Sequence, residues 1–163
     1  MPLLVVRHAQ AGRRSAYRGD DRERPLTARG LARAQALVEP LGTYHPRRVL
    51  SSPFVRCWQT VQPVAEAIGL GVESVEELSE GHGDEAVQLV RRMAGESAIL
   101  CTHGDVATDL LAALGAGSGS DGKPIRRLQK GEFWVVQSTG STLAIVDQVR
   151  PLPAEAVRPA RDG

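Results

Sequence analysis

What this chain lacks narrows it before any motif is read. Among its 163 residues there are two cysteines, Cys57 and Cys101. That is too few for a disulfide framework, and their spacing matches no zinc motif. Each stands in an apolar stretch and reads as a buried thiol. No apolar run approaches the ~20 residues a membrane-spanning helix needs. No signal peptide stands ahead of the first apolar segment, so a cytoplasmic protein is expected. Neither sign of charge dominates: Lys+Arg 20 against Asp+Glu 19 gives a net charge of +1, so no general attraction to nucleic acid or to a membrane is expected. Lysine is scarce, and 18 of the 20 basic residues are Arg, the better bidentate partner for phosphate or carboxylate. There is no internal repeat.

What is present is a single-domain chain with 42% apolar residues, long enough to bury a core without staples. Residues 1–150 are expected to form that domain. Residues 151–163, with Pro151, Pro153 and Pro159 and little apolar content, are expected to be a loose tail. Leu3-Leu4-Val5-Val6 is an unbroken apolar run rich in Val, the pattern of a strand covered on both faces. It delivers Arg7 and His8 into the following loop, and open α/β sheets place ligand sites beyond the carboxyl ends of their strands. Ala98-Ile99-Leu100-Cys101-Thr102 repeats the arrangement and ends in His103-Gly104-Asp105. One strand-end histidine is usually structural; two, each on a strand-helix unit, point to one site.

Other stretches fill in the fold. Thr27 reads as a helix N-cap, followed by Leu31, Ala34, Leu37, Val38 and Leu41 at helical spacing, with Pro40 and Gly42 ending the helix. Arg47–Ser51 reads as a strand. Ser52-Pro53 reads as a helix start, Ser as the cap and Pro at the first helical position. Phe54, Val55, Trp58, Val61, Val64, Ala65 and Ile68 form the apolar side, Pro63 is expected to kink or split that helix, and Gly69 closes it. Residues 71–75 read as a short strand, 84–94 as a helix stopped by Gly95, and 106–114 as another. Gly115–Gly122 reads as a flexible loop. Residues 132–136 and 142–146 read as strands joined by the Thr139-Gly140-Ser141 turn. The fold class is α/β in three layers: a mostly parallel central sheet, helices on both faces and a C-terminal hairpin.

Three further stretches hold candidate site residues. The polar loop after His8 carries Arg13, Arg14, Arg18, Arg22 and Arg24, partly offset by Asp20, Asp21 and Glu23. Most of these are expected to be solvated, with Arg13 and Arg14 best placed to reach an anionic substrate. Arg56 falls in the first turn of its helix, where the macrodipole favours anions. It is either a tolerated surface residue or, with a bound phosphate, a guanidinium converging with the helix N–H groups on one anion. The acidic loop Glu76-Glu77-Leu78-Ser79-Glu80 is either solvated charge or the source of a proton donor.

Taken together, Val6-Arg7-His8-Ala9, Arg24-Pro25-Leu26-Thr27 with Gly30, Ser51-Ser52-Pro53 with Arg56 and Gln59-Thr60, and Thr102-His103-Gly104 resemble the histidine phosphatase superfamily, the phosphoglycerate-mutase-like group. The order and spacing of the motifs carry the resemblance across most of residues 3–147. The size is similar to that of the small phosphohistidine phosphatases and of the phosphatase domains appended to some Nudix hydrolases, and Gly19-Asp20-Asp21-Arg22 is closest to the latter. The resemblance implies a phosphatase of phosphomonoesters or related phosphoryl compounds, with His8 as nucleophile forming a phosphohistidine. Arg7, Arg56, His103 and Gly104 would bind the phosphoryl oxygens, with no metal and no cofactor. Leu78-Ser79-Glu80 fits the family's proton-donor stretch, making Glu80 the first choice and Glu77 the second. Ala9 replaces the family's Gly. Ala11 and Arg14 stand where mutases carry Ser or Thr and Asn, which argues against phosphoglycerate recognition. The implied partner is a small phosphorylated substrate or a phosphohistidine protein; the oligomeric state is left open. The rivals are a metal site of His8, His103 and Asp105, disfavoured by the adjacent arginines, and a module that binds phosphorylated ligands without turnover.

Overall fold

The two strongest apolar runs become the two central strands. The computed structural model describes residues 1–115 and 117–151. In it β1 (Leu3–Arg7), β2 (Arg48–Ser51), β3 (Val72–Ser74) and β4 (Ala98–Thr102) are parallel, while β5 (Phe133–Thr139) and β6 (Thr142–Val149) form an antiparallel hairpin. The order across the sheet is β3-β2-β4-β1-β5-β6. β5 lies antiparallel to β1, so the hairpin extends a parallel sheet at one edge.

Side-chain alternation along the strands sorts the core into two halves. Leu3, Val5, Leu100 and Trp134 face one side, packed with residues of α4 (Gly83–Arg92) and α5 (Gly104–Leu114). Leu4, Val6, Ile99 and Phe133 face the other, packed with residues of α2 (Val38–Gly42) and α3 (Val55–Ile68), while α1 (Ala28–Ala36) lies on α3. The expected three-layer α/β architecture is present. The expected tail lies outside the described residues except for Pro151, which is buried and accepts a hydrogen bond from Arg33.

Four local expectations need correction. The helix after Thr27 does not run to Gly42: it breaks at Leu37 into α1 and α2, because the ring of Pro40 clashes with the carbonyl four residues earlier, at Ala36. Leu31 is 46% exposed; α1 presents only a narrow stripe, centred on Gly30 and Ala34. Ser52-Pro53 does not start α3. The helix begins at Val55 with Phe54 in the cap position, since the Ser52 hydroxyl is committed elsewhere. Of the kink or split expected at Pro63, the split does not occur, and α3 continues to Ile68. Val61, Val64 and Ala65 around it are buried, and their packing outweighs the ~3 kcal/mol that an internal proline costs.

Candidate active site

Strand register brings the two histidines together. Arg7 pairs with Thr102 between β1 and β4, and the His8 N–H donates to the Thr102 carbonyl at 3.0 Å. The strands end level, so His8 and His103 emerge side by side with ring centroids 5.4 Å apart. On the other side of β4, Ser51 pairs with Cys101 and Ser52 emerges beside them.

His8 is 7% exposed. Its Nδ1 lies 2.7 Å from the Ala9 carbonyl. A carbonyl only accepts, so Nδ1 carries the proton and Nε2 keeps its lone pair. Burial drives the imidazole down to about 3; the bond to Ala9 works against that shift, and the charges of His103, Arg56 and Arg7 add to it. The ring is therefore neutral at ordinary pH. The Ala9 N–H donates to Thr60 Oγ1 at 3.0 Å, and that hydroxyl donates to the Arg56 carbonyl at 2.7 Å. Thr60 thus ties the loop after His8 to α3. The same loop is pinned from outside. Thr27 N–H donates to the Gln10 carbonyl at 2.9 Å. Gly30 lies so close that a Cβ there would stand 2.0 Å from that carbonyl oxygen. Thr27 also caps α1 as expected, accepting from Gly30 N–H at 3.1 Å.

His103 is held by side chains. Its Nε2 lies 2.9 Å from Ser52 Oγ and 3.5 Å from Cys57 Sγ. Ser52 Oγ accepts from the Phe54 N–H at 3.3 Å, so its own proton is free to go to Nε2. When it does, the imidazole proton stands on Nδ1, a buried atom without a hydrogen-bond partner and 3.7 Å from Glu80 Oε1. The Phe54 ring packs on this imidazole, centroids 4.6 Å apart.

Arg56 is wholly buried. Its Nη1 donates to the Asp21 carbonyl at 2.7 Å, and its Nη2 to Asp21 Oδ2 and Glu80 Oε1, each at 3.1 Å. These two carboxylates answer the electrostatic oddity of a cation at a helix start. Asp21 also accepts from Arg24 at 2.8 Å. Burial alone would raise the Asp21 carboxyl, but Arg24, Arg56 and Arg14 outweigh it and hold it below its ordinary range. Arg14 donates to Glu80 Oε1 at 2.7 Å. Arg7 lies against Gly104, where a Cβ would come within 2.8 Å of the guanidinium; only glycine permits that approach. Arg7 Nη1 donates to the Leu128 carbonyl at 2.9 Å.

Arg7, His8, Arg14, Arg24, Arg56, Glu80 and Gly104 line one open cleft of about 750 Å³, as do Arg127 and Lys130. A sequence model of the histidine phosphatase superfamily (branch 1) matches residues 3–86. This chain belongs to that superfamily. It is 37% identical over 115 residues to the 8-oxo-(d)GTP phosphatase of Mycolicibacterium smegmatis (strain ATCC 700084 / mc(2)155), a match covering 67% of this chain and 36% of that protein. The chain therefore spans about a third of that relative's length. Among solved structures, the protein histidine phosphatase SixA complexed with tungstate superposes with a TM-score of 0.71 at 23% identity, covering 93% of this chain and 97% of that one. A mycobacterial glucosyl-3-phosphoglycerate phosphatase complexed with VO3 gives 0.69 at 18% identity, covering 88% and 95%. At these identities the structural likeness establishes the histidine phosphatase fold.

Within that fold, the structure brings Arg7, His8, Arg14, Arg56, Glu80, His103 and Gly104 together. It leaves out two expected residues. Arg13 is exposed and does not line the cleft; its neighbour Arg14 turns inward to Glu80. Glu77 pairs with Arg92 of α4 at 3.0 Å, because the 3-10 turn Glu76–Leu78 rotates it toward that helix and leaves Glu80 to face the cleft. The metal grouping of His8, His103 and Asp105 does not form: among the described residues no three His, Cys, Asp or Glu side chains are placed to hold a metal ion. Asp105 instead accepts from the Gly81 N–H at 2.8 Å. Sequence reading missed Ser52 and Thr60 as orienting residues, Asp21 as the partner of Arg56, Arg24 as a lining residue, and both Arg127 and Lys130. The motif around Ser51-Ser52-Pro53 contained the first two, but their hydroxyls have visible roles only once β2 and α3 are placed beside β4.

Proposed function

We propose that this chain is a phosphatase that hydrolyses a phosphomonoester or related phosphoryl compound through a phosphohistidine on His8, without a metal. The observation that carries the reading is the state of His8: neutral, with Nδ1 tied to a backbone carbonyl and the Nε2 lone pair available in a cleft lined by Arg7 and Arg56. A lone pair held in place among cations suits in-line attack on phosphorus. Nε2 forms the bond to phosphorus as the bond to the leaving oxygen breaks. Arg7, Arg56 and the Nδ1–H of His103 offset the charge on the equatorial oxygens. The Gly104 N–H at the start of α5 adds a helix terminus.

Glu80 is the proton donor in this reading. An incoming phosphate dianion takes over the cations that Glu80 holds, and a carboxyl left beside a dianion takes up a proton. It gives that proton to the leaving oxygen and accepts one from the water that attacks the phosphohistidine, so the cycle closes with phosphate, alcohol and the starting enzyme. Arg14, bound to Glu80 at 2.7 Å, positions the carboxyl. The relatives carry names for phosphatases of a protein histidine, of glucosyl-3-phosphoglycerate and of 8-oxo-(d)GTP; a transferable phosphoryl group is the shared part. A reducing compartment such as the cytoplasm belongs to the same proposal, since Cys57 and Cys101 are free buried thiols and such thiols persist where disulfides are kept reduced.

The test is acid-quench trapping with labelled substrate. The expected result is acid-labile, base-stable label on His8, formed equally with and without EDTA. Label on Ser52, Cys57 or Asp21 would overturn the mechanism, as would loss of turnover on chelation restored by a divalent ion.

A further inference from the structure

We propose that Arg127 and Lys130 form a second anion subsite in the cleft, so that the substrate is a small molecule carrying another phosphate or carboxylate beside the phosphoryl group transferred to His8. This rests on the reading of His8 given above.

The charges of the cleft are distributed unevenly. Six cations line it. Arg14, Arg24 and Arg56 are each paired to Asp21 or Glu80. Arg7, Arg127 and Lys130 form no ion pair among the described residues. Burial disfavours the Arg7 cation most, and the charge of Arg127 adds to it, while Asp105, which also lines the cleft, and Glu132 offset this only in part. Arg7 Nε is buried without a partner. Like charges left together at the rim of a cleft are costly unless an anion joins them.

The segment that carries these cations is fixed. Leu128 between them is buried in the core beside Trp134, and its carbonyl accepts from Arg7. Trp134 Nε1 donates to the Arg126 carbonyl at 3.2 Å. The Gly131 N–H donates to the Arg7 carbonyl at 3.0 Å with φ at 80°, a conformation that suits glycine. Two exposed cations flanking a buried anchor are thereby held at the mouth of the site, and the strand carrying the proposed nucleophile holds them there. The cleft volume, about 750 Å³, lies in the range of small-molecule pockets, ~300–1,000 Å³, well beyond what one phosphoryl group fills. Surface cations facing a flexible acidic protein would need no such fixed mount, so the observations favour a compact dianionic or polyanionic molecule.

The test compares a hexose monophosphate with the matching hexose bisphosphate on wild type and on the double variant R127A/K130A. The expected result is a rise of roughly tenfold in the ratio of the bisphosphate KM to the monophosphate KM, the sum of two exposed ion pairs, reduced by added salt. An unchanged ratio overturns the subsite, as does an equal loss on both substrates. A parallel measurement separates this from failure of the chemistry. Calorimetric binding of the two sugars to the folded His8→Ala variant, with and without R127A/K130A, reads the same ratio as affinity. If wild type hydrolyses neither sugar but the affinity ratio shifts, the subsite stands and the hydrolytic reading falls. If a phosphohistidine protein is turned over and suffers the loss in R127A/K130A while neither sugar does, the small-molecule subsite is wrong and the surface docks a protein.

Discussion

His8 and His103 leave adjacent strands at the same edge of the sheet, each one residue past the paired Arg7 and Thr102, yet they are held by different means. His8 is fixed by the carbonyl of its own neighbour, Ala9, at 2.7 Å. His103 is fixed by side chains from another strand and helix, Ser52 at 2.9 Å and Cys57 at 3.5 Å. A backbone carbonyl cannot be removed by substitution, whereas a hydroxyl can. The group proposed to form a covalent bond therefore has the tether that tolerates no variation. The group proposed to steady charge has one that can be taken away while the fold survives.

The sharpest break in the comparison is to remove one ring at a time. His8→Ala is expected to abolish phosphate release, since no other side chain stands at the end of β1 to take the phosphoryl group. The same position has a signature in stability. The unfolded imidazole takes a proton near pH 6.5 and the folded one only near about 3. Between those values the unfolded state binds the extra proton, so this group lowers stability as pH falls, by up to ~1.4 kcal/mol per unit, and contributes nothing above that window. His8→Gln is expected to flatten the decline between pH 6.5 and 3 in urea unfolding. An unaltered slope would mean that the folded imidazole titrates normally.

Arg56→Ala comes next. Loss of one preorganised donor to a developing charge costs ~10²–10³ in rate. Here it also leaves Glu80 without its buried cation and Asp21 with Arg24 as its remaining buried partner, so a folding control by circular dichroism belongs with the kinetics. A near-normal rate in a folded variant would place Arg56 in loop anchoring alone.

Glu80→Gln is expected to slow sugar phosphates by ~10² or more, the lower end of general acid catalysis, and to leave p-nitrophenyl phosphate nearly unaffected because its leaving group departs without a proton. Glu77→Gln, which removes only the exposed pair to Arg92, is the control. A selective loss in Glu77→Gln would invert the assignment within the acidic loop.

The residues that misled the sequence reading share a cause. Leu3–Val6, Ala98–Thr102 and their histidines were legible because burial on both faces imposes an apolar run and parallel register does the rest. Ser52 reads as a helix cap because its local chemistry suits one; the position of His103, 51 residues on, redirects its hydroxyl. Arg13 and Arg14 are alike in sequence, and only the short turn Arg14–Ala16 and the reach to Glu80 separate them. Glu77 and Glu80 are separated by a 3-10 turn that no periodicity announces. Arg127 and Lys130 lie in a loop with no apolar pattern apart from Ile125 and Leu128, so nothing in the sequence aims them at His8. The sequence showed what local propensity and burial decide; contacts across long separations stayed hidden.

The smallest effect tests the tether of His103 directly. In Ser52→Ala the Nε2 loses the hydroxyl that donates to it, and the ring is free to carry its proton there instead. Nδ1 then presents a lone pair to the phosphoryl oxygens in place of a donor, and one stabilising contact becomes a repulsive one. A single neutral hydrogen bond is worth ~0.5–1.5 kcal/mol, so the expected loss in kcat/KM is about two- to tenfold, far less than for Arg56→Ala. The ring nitrogens themselves tell a tautomer effect from simple loosening. The ¹⁵N shifts of the His103 ring separate a protonated from an unprotonated nitrogen, and Ser52→Ala is expected to move the proton signature from Nδ1 toward Nε2. Cys57 Sγ, at 3.5 Å from the same nitrogen, is a weaker and longer partner, and Cys57→Ala is expected to change these shifts less. Ring ¹⁵N shifts that stay constant in Ser52→Ala would mean that Ser52 shapes the end of β2 and leaves the imidazole proton where it was.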